Sequence, residues 1–435
     1  MQILPKKRTL LVAGLILLVF LPATKATDKL ASSDITQPEF FPILPWDPLE
    51  GWDGKAHDSE VNGLESIAEC HFNMAGFVRP KHLPKCRKLG LGAFLLPSGD
   101  GVLPLKYQSE WKNLADEEIN SRIRAMVKAG GSNIALRGYF IMDEPGLSDF
   151  PALGKAVAAV KKYAPGKLAY INLFPDYATL GAPDRSQLGT TNYTEYLERF
   201  IADVKPQLLS YDNYMVQYSD DLQNRSLAAS YFRNMLEVRR VAQEHHLPYL
   251  HIVAANQLQP KHPIPSPANL LLQAYTTLAA GFRGVTWYTF YGRGYQYAPI
   301  DAAGNKTPTW SCLREVNRQV AALAPVLCRL SSTGVFFSSP PVVDGLPLLP
   351  GQVIDTVTCS SPLMVGEFKG RDAETYALLV NLNLEHSANL SLKTKSSGAN
   401  LKLVSAVDGA LLSFEIAKDG FWLMPGQGIL LKVGE

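Results

Sequence analysis

Cysteine is scarce in this chain. Five thiols among 435 residues, Cys70, Cys86, Cys312, Cys328 and Cys359, include no CxxC pair, so the ligand spacing of a zinc ribbon or finger is missing. Charge is balanced rather than blocked. The formal net charge is +2, and no basic run exceeds Lys6–Arg8, which argues against nucleic acid as a partner. The GxGxxG, GxxxxGKS/T and HExxH patterns are absent, so no dinucleotide, nucleoside triphosphate or catalytic zinc is implied. The eight histidines are scattered, and a metal-dependent hydrolase would need them clustered at strand ends. The expectation is a protein with no metal and no organic cofactor. No internal repeat is visible, which excludes a solenoid.

The longest apolar run near the start, Thr9–Leu21, is short for a bilayer span. It follows Lys6, Lys7 and Arg8 and precedes Thr24-Lys25-Ala26, with small residues at both recognition positions. This reads as a signal peptide over residues 1–26 cleaved after Ala26, hence export to the periplasm or outside the cell and no stable membrane association afterwards. Four N-glycosylation triplets follow, starting at Asn192, Asn224, Asn305 and Asn389. In an oxidising compartment one or two disulfides are expected. A Cys70–Cys86 bridge would close a short loop, whereas Cys312 and Cys328 share one predicted helix and are not expected to pair.

Residues 27–40 are polar and read as loose. From there to residue 328, short apolar runs alternate with amphipathic segments, the pattern of parallel βαβ units. Strands are expected at Phe41–Trp46, Gly76–Val78, Gly92–Leu96, Ile134–Met142, Lys167–Phe174, Leu208–Met215, Tyr249–Asn256 and Gly284–Tyr291. Helices are expected between them and at Thr309–Leu327. Eight such pairs predict a (β/α)8 TIM barrel over 41–328. After Cys328 the helical period stops, and short β-rich runs punctuated by Pro, Gly, Asn and Ser predict a C-terminal antiparallel β-sandwich over 329–435.

The stretch Ile134–Pro145, IALRGYFIMDEP, is where chemistry concentrates. An apolar strand ends in Asp143 and Glu144, and Pro145 stops it. Barrel enzymes place their reacting groups at the C-terminal ends of the strands. The same ends offer Trp46 and Asp47 on strand one, Tyr139 on strand four, Asn172 on five, and Tyr211, Asp212 and Tyr214 on six. Strand seven adds Asn256, and strand eight adds Trp287 and Tyr288. Carboxylates and amides hydrogen-bond hydroxyls, and aromatic faces stack on pyranoses, so the set suits a carbohydrate. Glu144 is the candidate general acid, with Asp143 or Asp212 as its partner. The substrate-binding candidates are Trp46, Tyr139, Tyr211, Tyr214, Asn256, Trp287 and Tyr288. Adjacent strand residues face opposite ways, so Asp143 and Glu144 reach one cavity only if the strand has ended or bulged. A bland alternative assigns the two acids to capping the next helix and Trp287 to the core.

Asp143-Glu144-Pro145 closing strand four, an aromatic run around Trp287 closing strand eight and a trailing sandwich together resemble the (β/α)8 glycoside hydrolases. The overall likeness is to the clan containing family 42 β-galactosidases. That resemblance implies an acid/base glutamate at Glu144. It also implies an asparagine before it, where this chain has Asp143, and a nucleophilic glutamate ending strand seven, where this chain reads Ala254-Ala255-Asn256-Gln257. Three routes therefore stay open. Asp212 acts as base in an inverting reaction; or Asp143 and Glu144 resemble the pair of substrate-assisted hexosaminidases; or the site binds a glycan without turning it over.

Overall fold

The computed structural model describes residues 40–47, 63–96, 111–179, 186–218, 225–258, 260, 263–292, 294–371, 373–416 and 420–434. The expected leader, Asn224 and the acids and histidine of the loop after strand one (Asp53, His57, Asp58) lie outside them.

Eight parallel strands form a barrel: β1 (Ile43–Pro45), β2 (Met74–Val78), β3 (Gly92–Leu95), β4 (Leu136–Asp143), β5 (Leu168–Asn172), β6 (Leu209–Asp212), β7 (Tyr249–Ala254) and β8 (Val285–Tyr288). Each is followed by a helix: α1 (Leu64–Glu69), α2 (Leu83–Leu89), α3 (Asp116–Gly130), α4 (Phe150–Tyr163), α5 (Tyr193–Val204), α6 (Arg225–Glu244), α7 (Pro267–Ala279) and α8 (Pro308–Leu327). The strands pair in two runs, β2-β3-β4-β5 and β1-β8-β7-β6. Two seams close the ring. Between β5 and β6, Leu173 N–H donates to Ser210 O at 2.8 Å. Between β1 and β2, the Asn73 side chain accepts from Ile43 N–H and donates to Phe41 O, both at 2.8 Å. Gly76 sits at that second seam with φ +76°, where a Cβ would lie 2.5 Å from Pro45 O.

Strand alternation sorts the side chains into two layers. Leu44, Trp46, Met74, Phe77, Phe94, Phe140, Leu168, Tyr170, Leu250 and Ile252 fill the barrel interior. Their neighbours, including Ile43, Tyr139, Tyr211 and Trp287, pack outward against the helices in the larger cluster.

After α8 the chain forms antiparallel strands β9 (Leu330–Phe337), β10 (Ile354–Cys359), β11 (Leu363–Gly370), β12 (Thr375–Asn381), β13 (Ala388–Thr394), β14 (Leu401–Val404), β15 (Leu411–Ser413), β16 (Phe421–Leu423) and β17 (Gly428–Val433). A six-stranded sheet (β15-β14-β17-β12-β11-β9) faces a three-stranded one (β10-β13-β16) across an apolar core of Ile354, Val365, Leu379, Leu390 and Leu423. β15 and β16 are only three residues long, too short to stand out in the sequence pattern. The larger sheet's other face packs on α7. There Gly366 of β11 meets the helix end so closely that a Cβ would lie 2.0 Å from Ala279 O.

All five cysteines are free thiols. The Cys70–Cys86 bridge considered from sequence is not formed: both residues are buried as separate thiols, Cys70 Sγ lying 3.8 Å from Trp310 O, and burial pushes the Cys86 thiol up to about 12. Among the described residues, no helix is long and apolar enough to cross a membrane.

Candidate active site

Strand β4 brings both of its acids to the barrel mouth, and it does so by breaking its own alternation. Its pairing with β5 slips between Phe140 and Met142, so Ile141 and Met142 both pack outward and Asp143 returns to the inner face beside Asn172. Such a bulge re-aims the residues after it. The strand ends there, and Glu144 takes a left-handed backbone at φ +46°, held by its N–H donating to Asn172 O at 2.9 Å. A non-glycine residue in this region costs of order 1 kcal/mol or more and persists where its surroundings require it.

The acids are knit together across three strands. Asn172 Nδ2, at the end of β5, donates to Asp143 Oδ1 at 3.0 Å and to Asp212 Oδ1 at 2.9 Å. Asn172 Oδ1 accepts from Ser210 Oγ at 3.1 Å, and Ser210 Oγ in turn meets Tyr170 OH at 2.9 Å. This chain fixes the amide orientation from inside the barrel. The Glu144 carboxyl hydrogen-bonds Asp212. Asp143 and Asp212 are 5% and 2% exposed, whereas Glu144 is only half-buried. Burial raises the pKa of Glu144 far above the ordinary carboxylate range, and the negative charges of Asp212 and Asp143 add to that. Asp212 is raised too, by burial and by Asp143, though hydrogen bonds from Asn172 and Glu144 pull it back. Both shifts favour the protonated form, and the two carboxyls meet in one hydrogen bond.

Beside the acids the mouth is aromatic. Tyr214 and Tyr288 stack with ring centroids 5.5 Å apart, and Tyr288 OH meets Tyr295 OH at 2.8 Å. All three rings are half-buried. Behind them, the Asp47 carboxylate at the end of β1 accepts from Thr289 Oγ1 and from Tyr291 N–H at 3.2 Å, latching the segment after β8. Asn256, two residues past β7, is buried, and among the described residues neither its Oδ1 nor its Nδ2 has a hydrogen-bond partner.

The structure therefore gathers Asp143, Glu144, Asp212, Tyr214 and Tyr288 at one end of the barrel. Three other candidates point away. Tyr139, Tyr211 and Trp287 sit on outward-facing positions in the strand–helix layer. Trp287 Nε1 donates to Asn317 Oδ1 on α8 at 2.9 Å, and Tyr211 stacks on His251 at 4.7 Å. Trp46 is inside the barrel, but its ring is enclosed by Phe77 at 4.7 Å and Tyr170 at 5.5 Å, so it packs the floor beneath the acids and offers no open face. Sequence reasoning missed the bridging role of Asn172 and the contribution of Tyr295. The glycine- and tyrosine-rich run Gly292–Tyr297 after strand eight was the available signal for the latter. Among the described residues, no group of His, Cys, Asp and Glu has the arrangement of a metal site.

No family model and no curated protein matches the chain. Its structure is similar to solved glycoside hydrolases. A catalytic mutant of a family 42 β-galactosidase from G. stearothermophilus aligns over 92% of this chain and 100% of its own, with 8% identity and a TM-score of 0.60. A family 5 glycoside hydrolase from Bacteroides vulgatus aligns over 91% and 89%, with 12% identity and a TM-score of 0.54. An α-amylase from Geobacillus thermoleovorans, solved with acarbose, aligns over 86% and 90%, with 12% identity and a TM-score of 0.50. The chain has the (β/α)8 fold of the glycoside hydrolases, with an antiparallel β region behind it.

Proposed function

We propose that this protein is an exported glycoside hydrolase that cleaves an O-glycosidic bond of an oligo- or polysaccharide, with Glu144 as general acid. The observation that carries this is the half-buried Glu144 carboxyl at the barrel mouth, in hydrogen bond with Asp212 and close to Asp143, two buried carboxylates bridged by Asn172 whose charge and burial favour its protonated form. A protonated acid at neutral pH is what a departing sugar oxygen needs, since it leaves as an alcohol rather than an alkoxide. Tyr214, Tyr288 and Tyr295 supply the apolar face for the ring.

Asp212 suits the role of proton holder better than that of separate base. Inverting hydrolases keep their carboxyls roughly 6.5–9.5 Å apart to admit a water, whereas Glu144 and Asp212 are in direct hydrogen bond. This contact supports the route in which the nucleophile comes from the substrate's own acetamido group and Asp143 orients it. The second reading is a glycan-binding protein without turnover. Its support is Asn256, an amide at the end of β7 where the family 42 clan carries its nucleophile.

A panel of aryl glycosides, including N-acetylhexosaminides, tested with wild type and Glu144→Gln, separates these. We expect Glu144→Gln to lose roughly 100-fold or more on poor leaving groups and less on activated ones. Binding without turnover on every sugar would select the second reading, and activity indifferent to Glu144 would remove the first.

A further inference from the structure

The outer sheet of the sandwich carries an indole that neither the core nor the candidate site uses. In the β13–β16 pair, Ala388 stands opposite Leu423, Asn389 opposite Trp422 and Leu390 opposite Phe421. Ala388, Leu390 and Leu423 are buried in the sandwich core, and Phe421 packs against them. Alternation then sends Asn389, Ser391 and Trp422 to the outer face. Trp422 is 66% exposed there, Ser391 is exposed and Asn389 is half-buried.

Asn389-Leu390-Ser391 is an acceptor triplet for N-linked glycosylation. Two described triplets elsewhere lie outside strands: Asn192 Oδ1 caps α5 by accepting from Glu195 N–H at 3.1 Å, and Asn305 Nδ2 donates to Asp301 Oδ2 at 3.3 Å in a turn. Asn389 stands on a strand, directly opposite Trp422. Directly opposed residues on antiparallel strands hold their Cβ atoms roughly 4.5–5.5 Å apart, so a pyranose carried on Asn389 comes within reach of the indole. A sugar ring offers one face of C–H groups, which is the surface an exposed indole covers.

We propose that Asn389 carries an N-linked glycan whose first N-acetylglucosamine stacks on Trp422. The donor is a lipid-diphosphate oligosaccharide: Asn389 Nδ2 attacks the anomeric carbon, the C–N bond forms, the C–O bond to phosphate breaks, the lipid diphosphate departs and the amide gives up one proton. The proposal rests on the export half of the functional reading and not on Glu144, so hydrolytic activity and glycan occupancy succeed or fail separately.

The test is secretion of the full chain from a host that N-glycosylates, with peptide mass spectrometry after enzymatic deglycosylation in heavy-oxygen water. Occupancy at Asn389 is expected. Trp422→Ala is then compared in the glycosylated protein, in enzymatically deglycosylated protein and on an Asn389→Gln background. The expected result is a Tm lowered by about 2–4 °C in the glycosylated protein and unchanged in the other two. An unmodified Asn389, an equal effect of Trp422→Ala in all three, or Trp422-dependent binding of free polysaccharide to protein unmodified at Asn389 would each overturn the proposal.

Discussion

Glu144 and Asp212 define the residue scale, because each controls the other's proton. Burial and neighbouring charge raise both pKa values, so the folded state favours the protonated pair. The stability this contributes is full below roughly pH 4, where unfolded carboxylates titrate, and is lost as pH rises through the raised folded values. Activity has the same sign, since the acid must hold its proton. Asp212→Asn removes a negative charge that favours the protonated form of Glu144. The alkaline limb of the pH–rate profile is therefore expected to move to lower pH in that variant, measured as kcat/KM across pH. An unmoved limb would mean that Glu144 does not titrate in the reaction.

At the scale of elements, the ends of β4 and β7 show what sequence can and cannot convey. The apolar run before Asp143-Glu144 marks β4 as a buried strand, and the adjacent acids mark its end as chemistry. The slip at Ile141–Met142 and the left-handed turn at Glu144 were not legible. Both are settled by pairing with β5, whose register is a long-range contact. The same limit explains Tyr139, Tyr211 and Trp287. A strand that is apolar on both faces hides its parity, so inward and outward aromatics look alike until a helix covers one of them. Tyr211 and Tyr214 were both read as cleft neighbours of Asp212, yet Tyr211 packs outward on His251 and only Tyr214 joins Tyr288 at the mouth. At the end of β7, Asn256 keeps both amide atoms buried and, among the described residues, unpartnered. Each such atom costs about 1–3 kcal/mol, a cost that a ligand group could offset and an apolar residue would abolish. Asn256→Leu is expected to raise Tm while lowering kcat/KM. A lower Tm would show that the amide is already satisfied within the fold.

For the whole molecule, α7 joins barrel to sandwich. Every residue from Asn269 to Ala279 is buried, because one face of the helix lies on the barrel strands and the other under the six-stranded sheet. Gly366 makes the closest approach. Gly366→Val places a branched side chain against Ala279 O, and overpacking of that kind costs roughly 3 kcal/mol. Calorimetry is expected to show one transition in wild type and a lowered, broadened or split transition in the variant. An unchanged profile would mean the two halves do not share their stability. The change from helical to strand periodicity after Cys328 made the antiparallel region behind the barrel legible from sequence. The contact between the two parts was not, since a single glycine in a β run gives no sign of what lies above it.

The Asp47 latch also sets an order of events. The carboxylate on the first strand and the Thr289 hydroxyl it accepts from are 242 residues apart in the chain. At roughly 5–20 residues per second of synthesis, β1 waits on the order of tens of seconds for the segment that completes its neighbour. The latched segment after β8, with Tyr295, is therefore among the last parts of the barrel mouth to assemble. A nascent chain arrested before Thr289 would hold the acids of β4 and β6 together with Tyr214 and Tyr288, but would lack the Asp47 latch and the Tyr295 hydroxyl that meets Tyr288.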